Sequence, residues 1–264
     1  MTAKSSARPP VALVTGATAG IGAEFARQLA ARGDDLVLVA RDRTRLEALA
    51  TELELEHGVR VQVIAADLVH PDDRARVEAR VRATEDDGGL PPITMLVNNA
   101  GFGLRRPFDE NGVDEEQRLL ELLVTVPMRL SHAALGQMLP HGAGTIVNIA
   151  SVAGFIPRGT YGASKAWVLS FSRWANIAYR PRGISVTAVA PGFVHTEFHD
   201  RMEVSKASVP KFLWLDAERL VRIALRDVSR GAAVSIPTLR YKFVVLLSRL
   251  LPDRLVAKGA LRGR

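Results

Sequence analysis

A doubly wound α/β domain is what this 264-residue sequence predicts. Three observations carry that expectation. Seven short apolar runs rich in β-branched residues alternate with helical patterns, a glycine-rich turn follows the first run, and no repeat or linker splits the chain. Near-continuous hydrophobicity in each run suits parallel strands covered on both faces, and the alternation gives right-handed βαβ crossovers. The architecture expected is therefore a three-layer α/β/α sandwich around a seven-stranded parallel sheet, of the Rossmann type.

The strand candidates are Val11–Thr15, Leu36–Ala40, Val59–Ala65, Ile93–Val97, Gly144–Ile149, Ile184–Ala190 and Ala232–Ile236. Helix candidates lie between them at about Ile21–Arg32, Arg43–His57, Pro71–Thr84, Asp114–Met138, Thr160–Tyr179 and Asp216–Asp227. Asp86-Asp87-Gly88-Gly89 and Pro91-Pro92 read as a loop before the fourth strand. The organisation expected is a flexible arm over 1–10, one domain over 11–239 and a basic amphipathic tail over 240–264. Phe193 to Leu215 has no clear period and follows the sixth strand, on the side of the sheet where open α/β folds bind ligands; a lid or a surface loop fits it.

A mean hydropathy of +0.08, with 47% hydrophobic and 24% charged residues, excludes a disordered chain. No apolar run reaches the roughly 18 residues of a membrane span, and nothing near the N-terminus reads as a signal sequence. Zero cysteines exclude disulfides, thiolate zinc sites and cysteine nucleophiles. A cytoplasmic location fits. The net charge of +7 resolves into a local feature, since seven basic residues against one acid from Arg240 onward account for +6 of it. A body so close to neutral argues against a nucleic-acid partner.

The turn Thr15-Gly16-Ala17-Thr18-Ala19-Gly20-Ile21-Gly22 stands where strand gives way to helix. Gly16 permits a tight exit from the strand, while Gly20 and Gly22 allow the backbone to approach a pyrophosphate and the helix to pack closely. Free N–H groups and the helix dipole then face the anion. No Lys-Ser or Lys-Thr follows the glycines, which disfavours a nucleotide-triphosphate loop. At the end of the second strand the chain reads Val39-Ala40-Arg41, with Arg43 and Arg45 beyond. Guanidinium groups suit a ribose 2′-phosphate, so NADP(H) is the expected cofactor and NAD(H) the alternative. These arginines also suit a solvated helix start.

Tyr161 and Lys165 lie four apart on a predicted helix and so share a face. An ordinary phenol, with a pKa near 10, exchanges protons poorly at neutral pH; a nearby ammonium favours the phenolate. Such a pair can pass a proton to or from a carbonyl oxygen.

Together, Thr15-Gly-x-x-x-Gly-x-Gly22, Asp67 in Ala-Asp-Leu, Asn98-Asn99-Ala100-Gly101, Ser151, Tyr161-x-x-x-Lys165 and Pro191-Gly192-x-Val194-x-Thr196 resemble the short-chain dehydrogenase/reductase family, in its compact single-domain branch, from Val11 to about Pro237. The resemblance implies that Tyr161 is the general acid/base, that Lys165 holds the nicotinamide ribose and tunes Tyr161, and that Ser151 hydrogen-bonds the substrate oxygen. It places Asp67 and Leu68 at the adenine and Asn98, Ala100 and Gly101 on the cofactor floor. Pro191, Gly192, Val194 and Thr196 would approach the nicotinamide amide. Gly16, Thr18, Gly20, Ile21, Gly22 and Arg41 complete the expected cofactor contacts. The substrate implied is a small-molecule carbonyl or alcohol, and the Tyr161 helix would pack in a dimer or tetramer; its Trp167, Phe171 and Trp174 read as packing in the core or against another subunit.

Two departures from the family pattern stand out. Ser151 precedes Tyr161 by only 10 residues, so that Thr160 or a shifted substrate becomes an alternative. Leu123 falls where the family usually carries an asparagine that holds a relay water. A non-catalytic dinucleotide-binding sensor or scaffold is the alternative function these departures support.

His195 and His199, beside Glu197, read as polar residues of the irregular segment, and no metal site is expected. Ser151, His195 and Asp67 do not form a hydrolase triad, since no Gly-x-Ser-x-Gly elbow is present. Phe193, Phe198, Phe212 and Trp214 point to a hydrophobic substrate. Tyr241–Leu251 is apolar with Lys242 and Arg249 interspersed, which suits peripheral contact with an anionic membrane, a cover for the cleft, or a subunit contact.

Overall fold

A computed structural model describes residues 9–84, 91–195 and 211–256. Its centre is a seven-stranded sheet in the order β3-β2-β1-β4-β5-β6-β7. The strands are β1 (Val11–Thr15), β2 (Asp35–Ala40), β3 (Val61–Ala65), β4 (Met95–Asn98), β5 (Gly144–Ile149), β6 (Ile184–Val189) and β7 (Val234–Ser235). Every pairing is parallel. The order reverses between β1 and β4, so a crevice opens beyond the carboxyl ends of those two strands.

The helices are α1 (Gly20–Ala30), α2 (Arg43–His57), α3 (Pro71–Arg82), α4 (Val113–Leu120), α5 (Val126–His141), α6 (Gly159–Tyr179), α7 (Ala217–Ser229) and α8 (Leu239–Leu250). Strand alternation explains why both sheet faces are buried. Ala12 and Val14 of β1 join one core with Phe25 of α1, Leu46 of α2 and Val221 of α7. Val11 and Leu13 point the other way, into a second core with Val77 of α3 and Leu130 of α5. The basic tail thus begins in helix α8, which starts one residue before it and buries Tyr241 and Val245 against the domain.

The long helical stretch before β5 is not uniform. A π-helical turn, Glu121–Thr125, joins α4 to α5. The stretch Val113–His141 is long and apolar enough to cross a bilayer, yet half of its apolar window is buried in the fold. It packs against α3 and α6, as a core helix does. Its contacts with α3 include two ion pairs: Arg129 of α5 donates to the buried Glu78, and Arg74 pairs with Glu121.

Candidate active site

The glycine turn is built for close approach. Gly16 has φ +65° and Gly20 φ +54°, backbone conformations that side chains strain. A Cβ on Gly22 would lie 2.3 Å from the Gly16 carbonyl oxygen. Ala19, which caps α1, offers no side chain to the helix N–H groups, which leaves them available to an anion. The turn is fastened by two side chains. Thr15 Oγ1 accepts from the N–H groups of Asn99 at 2.9 Å and Ala100 at 3.0 Å. Asn99 Nδ2 donates to the carbonyls of Thr15 at 2.9 Å and Gly16 at 3.1 Å. Thr18, Ile21 and Ala100 lie partly exposed along the same edge, and Gly101 is exposed. These residues fit a nicotinamide dinucleotide: an uncapped helix start, and glycines where a Cβ would collide.

At the end of β2, Arg41 and Arg43 are exposed, and Arg43 contacts Glu47 at 3.4 Å. Asp42 stands between them. Its carboxylate accepts from the backbone N–H of Arg45 at 3.0 Å, capping α2. Asp67 accepts from Arg118 at 2.7 Å, which ties the end of β3 to α4, and Leu68 is buried beside it.

The reaction centre gathers at β5 and α6. Ser151 leads a single turn of 3₁₀ helix, Val152–Phe155, and its side chain accepts from Ala153 N–H at 3.1 Å. Gly154 lets that turn lie directly on α6, because a Cβ there would come within 2.7 Å of the Lys165 carbonyl carbon. This close contact is how only 10 residues suffice: Ser151 still hydrogen-bonds Tyr161. Burial pushes the Tyr161 phenol above the usual tyrosine value, while the Ser151 hydrogen bond and the charge of Arg158 pull it down. Lys165 donates to the Ile149 carbonyl at 2.7 Å, and its Nζ stands 5.7 Å from the Tyr161 ring centroid. Burial lowers its pKa to about 8. The two side chains share one face of α6, as their spacing predicts. Contrary to the expectation from the pairing, the phenol is not acidified by the ammonium: burial raises it by more than the Ser151 hydrogen bond and the Arg158 charge lower it.

Behind Lys165 lies a cavity of about 10 Å³, lined by Thr15, Asn98, Asn148 and Leu123 among others. Asn98 sits below the crevice floor and donates to Asn148 at 2.8 Å and Ser131 at 3.2 Å; among the described residues its Oδ1 finds no partner. Leu123 is 2% exposed within the π turn and presses on Gly101. Its position therefore contributes no polar side chain to this space.

The segment after β6 begins with Pro191, buried, and Gly192. Val194 bridges Leu215 in parallel, and His195 N–H donates to Leu215 at 3.1 Å. His195 stacks on Trp214 at 4.7 Å, and Phe193 lies 5.7 Å from the same ring. Thr196, with Glu197, Phe198 and His199, lies outside the described residues. Tyr241–Leu251, for which a cover over the cleft was one of the expected roles, reaches this region through Tyr241 of α8. Its ring covers Gly192, where a Cβ would come within 1.8 Å of it. Its hydroxyl accepts from Phe193 N–H at 3.0 Å and donates to the Leu213 carbonyl at 2.7 Å. The signal that could have found it is Gly192 itself, which must face something large.

The family model for short chain dehydrogenase matches residues 10–206. The chain belongs to that family and is an oxidoreductase. Three relatives illustrate the range. A very-long-chain 3-oxoacyl-CoA reductase from Anas platyrhynchos is 34% identical over 224 residues, covering 82% of this chain and 68% of the relative. A solved short-chain dehydrogenase from Sphingobium yanoikuyae, in complex with NADPH, is 39% identical with a TM-score of 0.83, covering 91% and 93% of the two chains. The bulky-bulky ketone specific alcohol dehydrogenase from Comamonas testosteroni is 37% identical with a TM-score of 0.79, covering 92% and 93%.

Proposed function

We propose that this protein is an NADP(H)-dependent reductase that interconverts a hydrophobic ketone and its secondary alcohol. The observation that carries the reading is the linked set Ser151–Tyr161–Lys165, assembled beside an uncapped glycine turn. When bound, the cofactor supplies or accepts the hydride at its nicotinamide ring. The Ser151 hydroxyl orients the substrate oxygen. Tyr161 gives that oxygen its proton during reduction, and burial suits this by keeping the phenol protonated until then. The Lys165 ammonium holds the ribose and stabilises the phenolate left behind. Pro191, Gly192 and Val194 would flank the amide end of the cofactor.

NADP(H) is favoured over NAD(H) because exposed Arg41 and Arg43 flank the ribose position while Asp42, the one acid there, is engaged as a helix cap. NADPH accompanies the relative from Sphingobium yanoikuyae. A bulky hydrophobic substrate agrees with the aromatic cluster of Phe193 and Trp214 and with the relatives' names. The protein would act in the cytoplasm as a dimer or tetramer, joined through the exposed apolar residues of α5 and α6.

The test follows NADPH absorbance with a panel of bulky ketones, alongside cofactor titrations of the same samples. Wild type should turn over at least one ketone and bind NADPH more tightly than NADH. Tyr161→Phe should keep NADPH binding and lose about 10²-fold or more in kcat. Undiminished turnover in Tyr161→Phe would overturn the assignment.

A further inference from the structure

Helix α8 presents two opposite faces. Tyr241 and Val245 are 3% and 4% exposed against the domain. Directly opposite, Leu239, Phe243, Leu246, Leu247 and Leu250 stand 81%, 63%, 55%, 43% and 74% exposed. They recur at the three- and four-residue spacing of a single helix stripe, and no described element covers them. Isolated exposed leucines need no explanation, but a continuous apolar stripe of this kind marks a contact surface.

Charge placement says which contact. At 100° per residue, Arg240 and Lys242 fall about 80° to either side of the stripe's centre, both exposed. Arg254 follows just beyond the helix, and from Arg240 onward the chain carries +6 of the protein's +7 charges. A helix lying in a bilayer surface has this arrangement, with an apolar stripe sunk among the acyl chains and long cationic side chains reaching to headgroups on both flanks. A second copy of the chain would bring the same exposed cations, Arg240, Lys242 and Arg254, to the contact, and like charges would oppose it.

We propose that α8 is a peripheral membrane anchor that seats its outward stripe in an anionic lipid surface. The seat is rigidly joined to the catalytic domain. Tyr241 is hydrogen-bonded to Phe193 and Leu213, and Arg240 donates to the Phe212 carbonyl. α8 also touches the Val152–Phe155 turn that carries Ser151. Seated this way, the protein holds its cleft beside the lipid surface, where hydrophobic carbonyls partition. Membrane seating itself does not depend on the chemistry at Tyr161.

The test is co-sedimentation of the full chain with phosphatidylcholine vesicles, with and without phosphatidylglycerol, at low and high salt. Wild type should pellet with the anionic vesicles and be released by salt. The double variant Phe243→Glu/Leu250→Glu should bind them about tenfold or more weakly, while its melting temperature still rises with NADPH as in wild type. That second readout separates lost anchoring from lost folding and from failure of the cofactor reading. Wild type that ignores anionic vesicles, or a double variant that pellets equally, would overturn the proposal. So would a double variant that falls to a smaller oligomer while neither protein binds lipid, which would give the stripe to a second copy.

Discussion

Lys165 shows how a functional residue sits at odds with its surroundings. Burial lowers its pKa to about 8, from near 10 in an unfolded chain. Below about pH 8 the ammonium is charged whether the chain is folded or not, and the folded state bears the cost of desolvating it. Between about 8 and 10 the unfolded chain holds the proton more tightly, so this group makes stability rise with pH. Lys165→Met removes the titration, and the lost hydrogen bond to Ile149 is a constant offset. The melting temperature of the wild type should therefore gain on that of Lys165→Met as pH rises through this window. A difference that stays flat would show that Lys165 is not desolvated. That Tyr161 and Lys165 share a helix face was legible in the sequence because their spacing is local, whereas Ser151 came only with the family resemblance. The roles of Thr15 and Asn99 in fastening the turn were not legible, since they depend on contacts more than 80 positions apart along the chain.

Elements were legible wherever periodicity alone decides them. The strand β1 and the helix α2 have the expected bounds, and β5 matches as well. Where tertiary contact decides, the sequence was silent. The π turn at Glu121–Thr125 inserts a residue into an otherwise regular helical pattern, and no composition marks it. The compact Val152–Phe155 turn makes the short Ser151–Tyr161 connection workable, and it rests on glycine packing against α6. Helix α8 was visible as an amphipathic stretch, but not its attachment through Tyr241. That attachment can be tested. Tyr241→Phe removes the hydrogen bonds to Phe193 N–H and the Leu213 carbonyl and should destabilise the protein by about 1–3 kcal/mol, read from chemical denaturation. Gly192→Val should cost more, since the new side chain meets the Tyr241 ring. A Gly192→Val protein as stable as wild type would refute the packing.

For the whole molecule, strand–helix alternation and the handedness of crossovers predict a doubly wound seven-stranded parallel sheet, and the structure has one. Assembly is another matter. Trp174 and Ile177 on α6 and Met128 on α5 are 55%, 75% and 44% exposed, and they form the apolar surface proposed for subunit contact. A charge at its centre should split the assembly: Trp174→Glu is expected to sediment as a monomer, with wild type as a dimer or tetramer. Identical sedimentation of the two would move the interface elsewhere.

The central claim is that the crevice between the glycine turn and α6 brings a hydride donor to a carbonyl held by Ser151 and protonated by Tyr161. It is tested most directly by incubating the protein with NADPH deuterated at C4 and a bulky aryl ketone, then weighing the alcohol by mass spectrometry. Deuterium on the carbinol carbon with wild type, and none above background with Tyr161→Phe, is the predicted result. NADPH bound tightly enough to raise the melting temperature, with no deuterium in any alcohol across the ketone panel, would contradict it.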